Sequence, residues 1–256
     1  MRKNGLANWP EVVLLDLDGT LVDSENLQIE AIAQCLRERG IEINEDERNF
    51  AVGRAWQEIH THLKVAERAG LALPAFRQAA WSQLLDLEAK GWEISILPGA
   101  KTIFTKLRDW EMPTAIVSGS TRKEIERCLR VLDESKAEFP DNGVCPKAAS
   151  ITEQLSFFLG AEDYRYGKPD PSAYLLAAKR FGVSAEQCLV VEDSEVGIAA
   201  ARSAKMAVVG SAAARAVQVN PKVQRLAHVV IDSLLDFDQS IVEQTMKIAK
   251  GVRDEA

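Results

Sequence analysis

The sequence predicts an α/β fold: a parallel sheet flanked by helices, with an all-helical insert after the first strand. Three observations predict it. Short apolar runs recur at EVVLL (11–15), TAIVS (114–118), CLVVE (188–192), MAVVG (206–210) and HVVID (228–232). They are continuous rather than alternating, as strands covered on both faces require. Amphipathic patterns separate most of them, so strands and helices alternate as in βαβ units of a Rossmann-like sheet. The alternation fails only between about Asn26 and Trp92, where helical patterns follow one another with no convincing strand.

In chain order, the first run ends on Asp16 and Asp18. Within the insert, Ile29, Ile32, Ala33 and Leu36 follow helical spacing, and Arg54–Arg68 and Ala75–Lys90 also predict helices. Leu97-Pro98-Gly99-Ala100 punctuates and restarts the chain. The expected division is a core of 1–22 with 97–256 and a helical domain of 23–96. An insert of roughly 70 residues can fold semi-independently on two hinge segments, as a lid or as a structural decoration. Helices follow at Ala100, Ile103, Phe104, Leu107, at Ile125, Cys128, Leu129, Leu132, and at Tyr174, Ala177, Ala178, Phe181. The stretch from Asp133 to Gln154 holds Pro140, Asp141-Asn142-Gly143 and Pro146 without sustained period, and predicts a mostly loop-like insertion.

Composition narrows the function classes. A length of 256 residues allows one large domain or two modest ones. A net charge of −7 argues against a nucleic-acid surface, which needs clustered basic residues. No apolar run approaches a membrane span, and MRKNGLANWP lacks the apolar core of a signal peptide. Four scattered cysteines without a CxxC pair predict free or buried thiols in a reducing compartment, so the expected location is the cytoplasm. His60 and His62 stand two apart on a helical pattern, off any shared face, which disfavours a metal site there.

Chemistry concentrates where the strands end. Asp16 and Asp18 follow the first, Ser118 and Gly119 close the second, and Glu192, Asp193 and Ser194 close CLVVE, while Gly167-Lys168-Pro169 opens the Tyr174 helix. In a parallel sheet these ends share one edge, where ligands collect. Several carboxylates on one edge repel one another and need a cation, and all-oxygen ligands favour Mg²⁺. The Ser118 hydroxyl, N–H groups near Gly119 and the Lys168 ammonium suit a phosphate. A carboxylate beside such a metal can attack phosphorus, and a second two residues on can move the proton. Ser120 and Thr121 stand before a helical pattern and read as helix caps.

DLDGTLVDSE (16–25), SGSTR (118–122), GKPDP (167–171) and EDSEVGIAAA (192–201) together resemble the four ordered motifs of the haloacid dehalogenase-like hydrolase superfamily. The nearest branch is the phosphoglycolate phosphatase and β-phosphoglucomutase group, with a helical cap inserted after the first motif. The resemblance spans about residues 11–210. It implies a Mg²⁺-dependent phosphatase acting on a small phosphorylated metabolite, such as a sugar phosphate or phosphoglycolate-like acid. It implies Asp16 as nucleophile, Asp18 as general acid/base, and Mg²⁺ on Asp16, the Asp18 carbonyl and Asp193, with Glu192 close by or acting through water. Ser118, Gly119 and Lys168 would bind the phosphoryl group, Lys168 would neutralise Asp16, and Gly19 and Thr20 would shape the turn. VGRAWQE (52–58) resembles the cap segment facing the active site, so Arg54 and Trp56 would contact substrate, or else serve as cap surface and cap core. Where members often carry AGM, this chain has Ala204-Lys205-Met206, which removes a glycine helix cap.

A β-phosphoglucomutase-type mutase is the alternative, against which DGT and Trp56 lean. A dehalogenase would lack the acid that Asp18 supplies, and a phosphonate hydrolase would need a cap lysine such as Lys64 or Lys90. A non-catalytic binding module sits poorly with charges gathered at Asp16, Asp18, Lys168 and Asp193.

Overall fold

A computed structural model describes residues 8–51, 54, 56–135, 150–212 and 221–251. The chain forms two compact units, one of residues up to Val22 together with those from Ile96 on, the other Asp23–Ser95.

The first unit opens with strand β1 (Val12–Leu15), whose four side chains are all buried. The pair β2 (Val22–Asp23) and β3 (Ser95–Ile96) forms a two-stranded ribbon where the chain leaves and re-enters this unit. The second unit, between them, is helical. It runs through α1 (Glu25–Arg37), α2 (Glu45–Ala51), α3 (Trp56–His62), α4 (Val65–Ala69) and α5 (Leu73–Ala89). Ile32, Leu36, Ile59, Leu63 and Phe76 form its core, and burying apolar surface is what makes helices this short stable. The single helix expected over Arg54–Arg68 is two, because Lys64 adopts a left-handed backbone (φ 51°) between α3 and α4. An L-residue there cannot continue a right-handed helix.

The first unit resumes with α6 (Ala100–Asp109), β4 (Thr114–Val117), α7 (Arg122–Glu134), α8 (Ile151–Gln154), β5 (Phe157–Leu159) and α9 (Ser172–Phe181). It ends with β6 (Cys188–Glu192), α10 (Glu195–Ser203), β7 (Ala207–Ser211), α11 (Pro221–Leu226), β8 (Val229–Ile231) and α12 (Gln239–Ala249). Strand β5 has no counterpart among the expected runs, since FFL is too short to show a period. The expected loop at 133–154 is helical at both ends, in the last turn of α7 and in α8. Its central part, 136–149, lies outside the described residues.

All strands of the main sheet are parallel, in the order β5-β4-β1-β6-β7-β8. The chain builds outward from β1 through β4 to β5, then crosses back to start β6 on the other side. A ligand crevice forms at such a reversal, between the carboxyl ends of β1 and β6. Leu15 pairs with Val191 in register, so both strands end at the same level. No helix among the described residues is long and apolar enough to cross a membrane.

Candidate active site

The four motifs meet at this reversal. One residue past β1, the amide of Asp16 donates to the carbonyl of Val191, at 3.0 Å. Oxygens of Asp16, Glu192 and Asp193 lie within 4.8 Å of one another, and all three residues are buried. Three carboxylates this close cannot remain ionised without compensation. Burial, and then the charges of Glu192 and Asp193, push the Asp16 carboxyl well above the usual range against the pull of Lys168.

Lys168 supplies one positive charge. Its Nζ donates to Asp16 Oδ1 at 2.5 Å, Glu192 Oε1 at 2.7 Å and the Val117 carbonyl at 3.0 Å. An ammonium has three protons, and here each has a protein acceptor. Burial disfavours the charged form, but Asp16 and Glu192 outweigh it, so the Lys168 pKa moves well up. One ammonium against three carboxylates leaves an uncompensated negative charge. An all-oxygen pocket of that charge, beside the backbone turn of Asp18, fits Mg²⁺.

Glu192, placed near the metal by the resemblance, lies in the acidic group and is also held by protein donors. Its Oε1 accepts from Lys168 and from the hydroxyl of Tyr174 (3.1 Å), and its Oε2 from the amide and hydroxyl of Ser194 (3.0 and 2.9 Å). Four donors fill the acceptor sites of a carboxylate. The side chain is tucked against the first turn of α10, where a Cβ on Gly197 would lie 1.6 Å from Oε1. Glu192 therefore holds Lys168. Tyr174 lies beneath, its ring centroid 5.0 Å from Nζ, and burial then Glu192 raise its phenol pKa so that it stays a neutral donor.

After Asp16 the chain turns through Gly19, at φ +83°, where any Cβ would come within 2.4 Å of Asp193 Oδ2. Only glycine accepts both that backbone and that approach. The buried Thr20 hydroxyl donates to Asp193 Oδ1 at 3.1 Å. Asp18 Oδ2 accepts from the hydroxyls of Ser118 (3.1 Å) and Ser120 (2.7 Å). Ser120 is therefore no helix cap. Thr121 alone caps α7, through a reciprocal capping box with Glu124. Gly119 is exposed at the strand end with open space around its Cα.

In the helical unit, Arg54 is exposed and 3.7 Å from Glu58, while Trp56 packs edge-on against Phe76 at 5.6 Å. Val52, Gly53 and Ala55 of the same segment lie outside the described residues. His60 Nε2 donates to the Leu71 carbonyl and His62 stacks on Phe50, both packing roles.

Sequence reasoning missed Tyr174 and Ser120. The i+6 position of Tyr174 after Lys168, on the buried face of α9, was a usable signal for the first. Nothing local pointed to Ser120.

Comparison with known proteins agrees with this geometry. A family described as haloacid dehalogenase-like hydrolase matches residues 10–205. Validoxylamine A 7'-phosphate phosphatase of Streptomyces hygroscopicus subsp. limoneus is 29% identical over 202 residues, covering 78% of this chain and 84% of that protein. Hexitol phosphatase A of Escherichia coli is 29% identical over 187 residues, covering 72% and 75%. A crystal structure of β-phosphoglucomutase from Clostridium difficile shares the fold, with a TM-score of 0.70 at 19% identity over 95% of this chain and all of that one. Four motifs meeting on one sheet edge and a family match over most of the chain agree: it belongs to the haloacid dehalogenase-like hydrolases.

Proposed function

We propose that this protein is a Mg²⁺-dependent phosphatase that hydrolyses a small phosphomonoester, a sugar phosphate or phosphoglycolate-like acid, through an aspartyl-phosphate on Asp16. The observation that carries the reading is the buried group of Asp16, Glu192 and Asp193, of which Asp16 and Glu192 bind the Lys168 ammonium. Relatives named as phosphatases support the substrate class.

Asp16, Asp193 and the Asp18 carbonyl would hold Mg²⁺, with Glu192 contributing through water at most. When bound, Mg²⁺ neutralises the carboxylates and polarises a phosphoryl oxygen. Lys168 keeps Asp16 ionised and aimed, and gives up one protein acceptor to meet the phosphoryl group alongside Ser118 and the Gly119 amide. Asp16 then forms a bond to phosphorus as the bond to the leaving oxygen breaks, and that oxygen takes the Asp18 proton. In the second half, water attacks phosphorus, Asp18 takes its proton, and the bond to Asp16 breaks to release phosphate. In this reading residues 23–96 form a cap that chooses the leaving group, with Arg54 and Trp56 as its substrate-contacting positions.

Phosphate release from 4-nitrophenyl phosphate, phosphoglycolate and a panel of sugar phosphates tests it, with Mg²⁺ and with chelator. Turnover is expected with Mg²⁺ only and lost in Asp16→Asn. Equal trace turnover by wild type and Asp16→Asn overturns the enzyme reading. Isomerisation of β-glucose 1-phosphate faster than phosphate release makes the protein a mutase instead.

A further inference from the structure

We propose that Ser120 is a positioning residue for Asp18: its hydroxyl holds the carboxyl group through Oδ2 and keeps it aimed at the leaving oxygen. The inference rests on the reading above, in which Asp18 is the general acid.

The residue is held for this task. Its amide donates to Ser118 Oγ at 2.9 Å, and its carbonyl accepts from the Ala161 amide at 2.9 Å. The preceding Ser118 is fixed at both backbone groups, by the Leu159 carbonyl (3.0 Å) and the Tyr164 hydroxyl (2.7 Å). Because Thr121 caps α7, the Ser120 hydroxyl is not used by the helix and donates to Asp18 Oδ2 at 2.7 Å.

Two hydroxyls converge on one oxygen of Asp18, and each has one proton to give. Ser118 cannot hold Asp18 and donate to a phosphoryl oxygen at once. When it turns to the phosphoryl group, Ser120 is the hydroxyl that still fixes Asp18. In the first step the Asp18 proton moves to the departing oxygen as the bond from that oxygen to phosphorus breaks and Asp16 forms its own, leaving Asp18 as carboxylate.

A series of ring-substituted phenyl phosphates tests this. It runs from 4-nitrophenyl phosphate, whose phenolate leaves without help, to phenyl phosphate, which gains most from an acid. The shape stays constant, and kcat/KM reports only the steps up to leaving-group departure. In Ser120→Ala, kcat/KM should fall about tenfold for phenyl phosphate and about twofold or less for 4-nitrophenyl phosphate, a fraction of the full acid contribution of about 10²–10⁴. Ser120→Thr, which retains a hydroxyl, should restore the wild-type dependence. Asp18→Asn should show the steepest dependence of all. A uniform loss across the series in Ser120→Ala, with Asp18→Asn steep, overturns the role of Ser120 and leaves Asp18 as the acid. A flat response in Asp18→Asn overturns both.

Discussion

The catalytic edge of the first unit and the helical second unit handle charge in opposite ways. At the edge, Lys168 and Asp16 are each less than one-tenth exposed, and their polar atoms converge within hydrogen-bond distance. In the helical unit, ion pairs such as Arg37–Glu42 and Arg54–Glu58 are about half or more exposed. Exposed pairs contribute little to stability, of the order of 0–1 kcal/mol. Buried carboxylates with too few cations cost stability, and a chain keeps them where they perform chemistry. One region has its polar groups prearranged for a reaction. The other has an ordinary apolar core with a solvated polar surface.

The sharpest way to break this contrast is Asp16→Asn. Activity should drop by on the order of 10⁴ or more, as for an essential nucleophile, while stability without divalent cations should rise. A carboxyl whose folded pKa lies above its unfolded value binds protons in the native state. Its cost to the native state therefore grows as pH climbs from the unfolded towards the folded pKa. Thermal melts at pH 7 should show a higher Tm for Asp16→Asn than for wild type in chelator, and Mg²⁺ should narrow the gap. A lower Tm for the variant in chelator would mean that Lys168 alone balances the three carboxylates.

Next in size is Gly197→Ala. A Cβ 1.6 Å from Glu192 Oε1 must displace that carboxylate and release Lys168, with a loss of about 10² in kcat/KM, as for a misplacement of about 1 Å. Wild-type kinetics in this variant would show that the Glu192 position is not needed.

Substitutions in the helical unit should act differently. Trp56→Ala removes half-buried packing on Phe76 and should cost about 2 kcal/mol in denaturant unfolding. Arg54→Ala should cost less than about 0.5 kcal/mol, and any change it makes should appear in KM for the physiological substrate rather than for 4-nitrophenyl phosphate. An equal kcat loss for both substrates would place Arg54 in the reaction rather than in recognition.

The smallest effect concerns Lys205, which follows α10 with φ 62° where a glycine is usual. Lys205→Gly should relieve the left-handed strain and stabilise by about 0.5–1 kcal/mol, with activity unchanged. Chemical unfolding measures it, and a destabilised variant would show that the lysine side chain compensates for its backbone.

Much of the candidate site was legible in the sequence, because each motif is a local pattern at a strand end. Asp16, Asp18, Lys168 and Asp193 could be singled out before any fold was known. The partners that orient them could not. Ser120 lies 102 residues from Asp18, and it reads as a helix cap until the neighbouring Thr121 is seen to take that role. Glu192 stands next to the proposed metal ligand Asp193 in sequence, and four donors from Tyr174, Ser194 and Lys168 claim its oxygens. Strand β5 escaped notice because three residues carry no period.

The sequence by itself determined the parallel α/β sheet, the helical insert and the acidic and basic residues of the candidate site, because periodicity and strand-end chemistry are local properties. Only the tertiary structure decided which carboxylate takes which partner. The register of β1 against β6, and the loop between β4 and α7, bring together atoms that chain distance keeps apart. Hydrogen-bond capacity then assigns each oxygen, since Lys168 has three protons to give and each serine one.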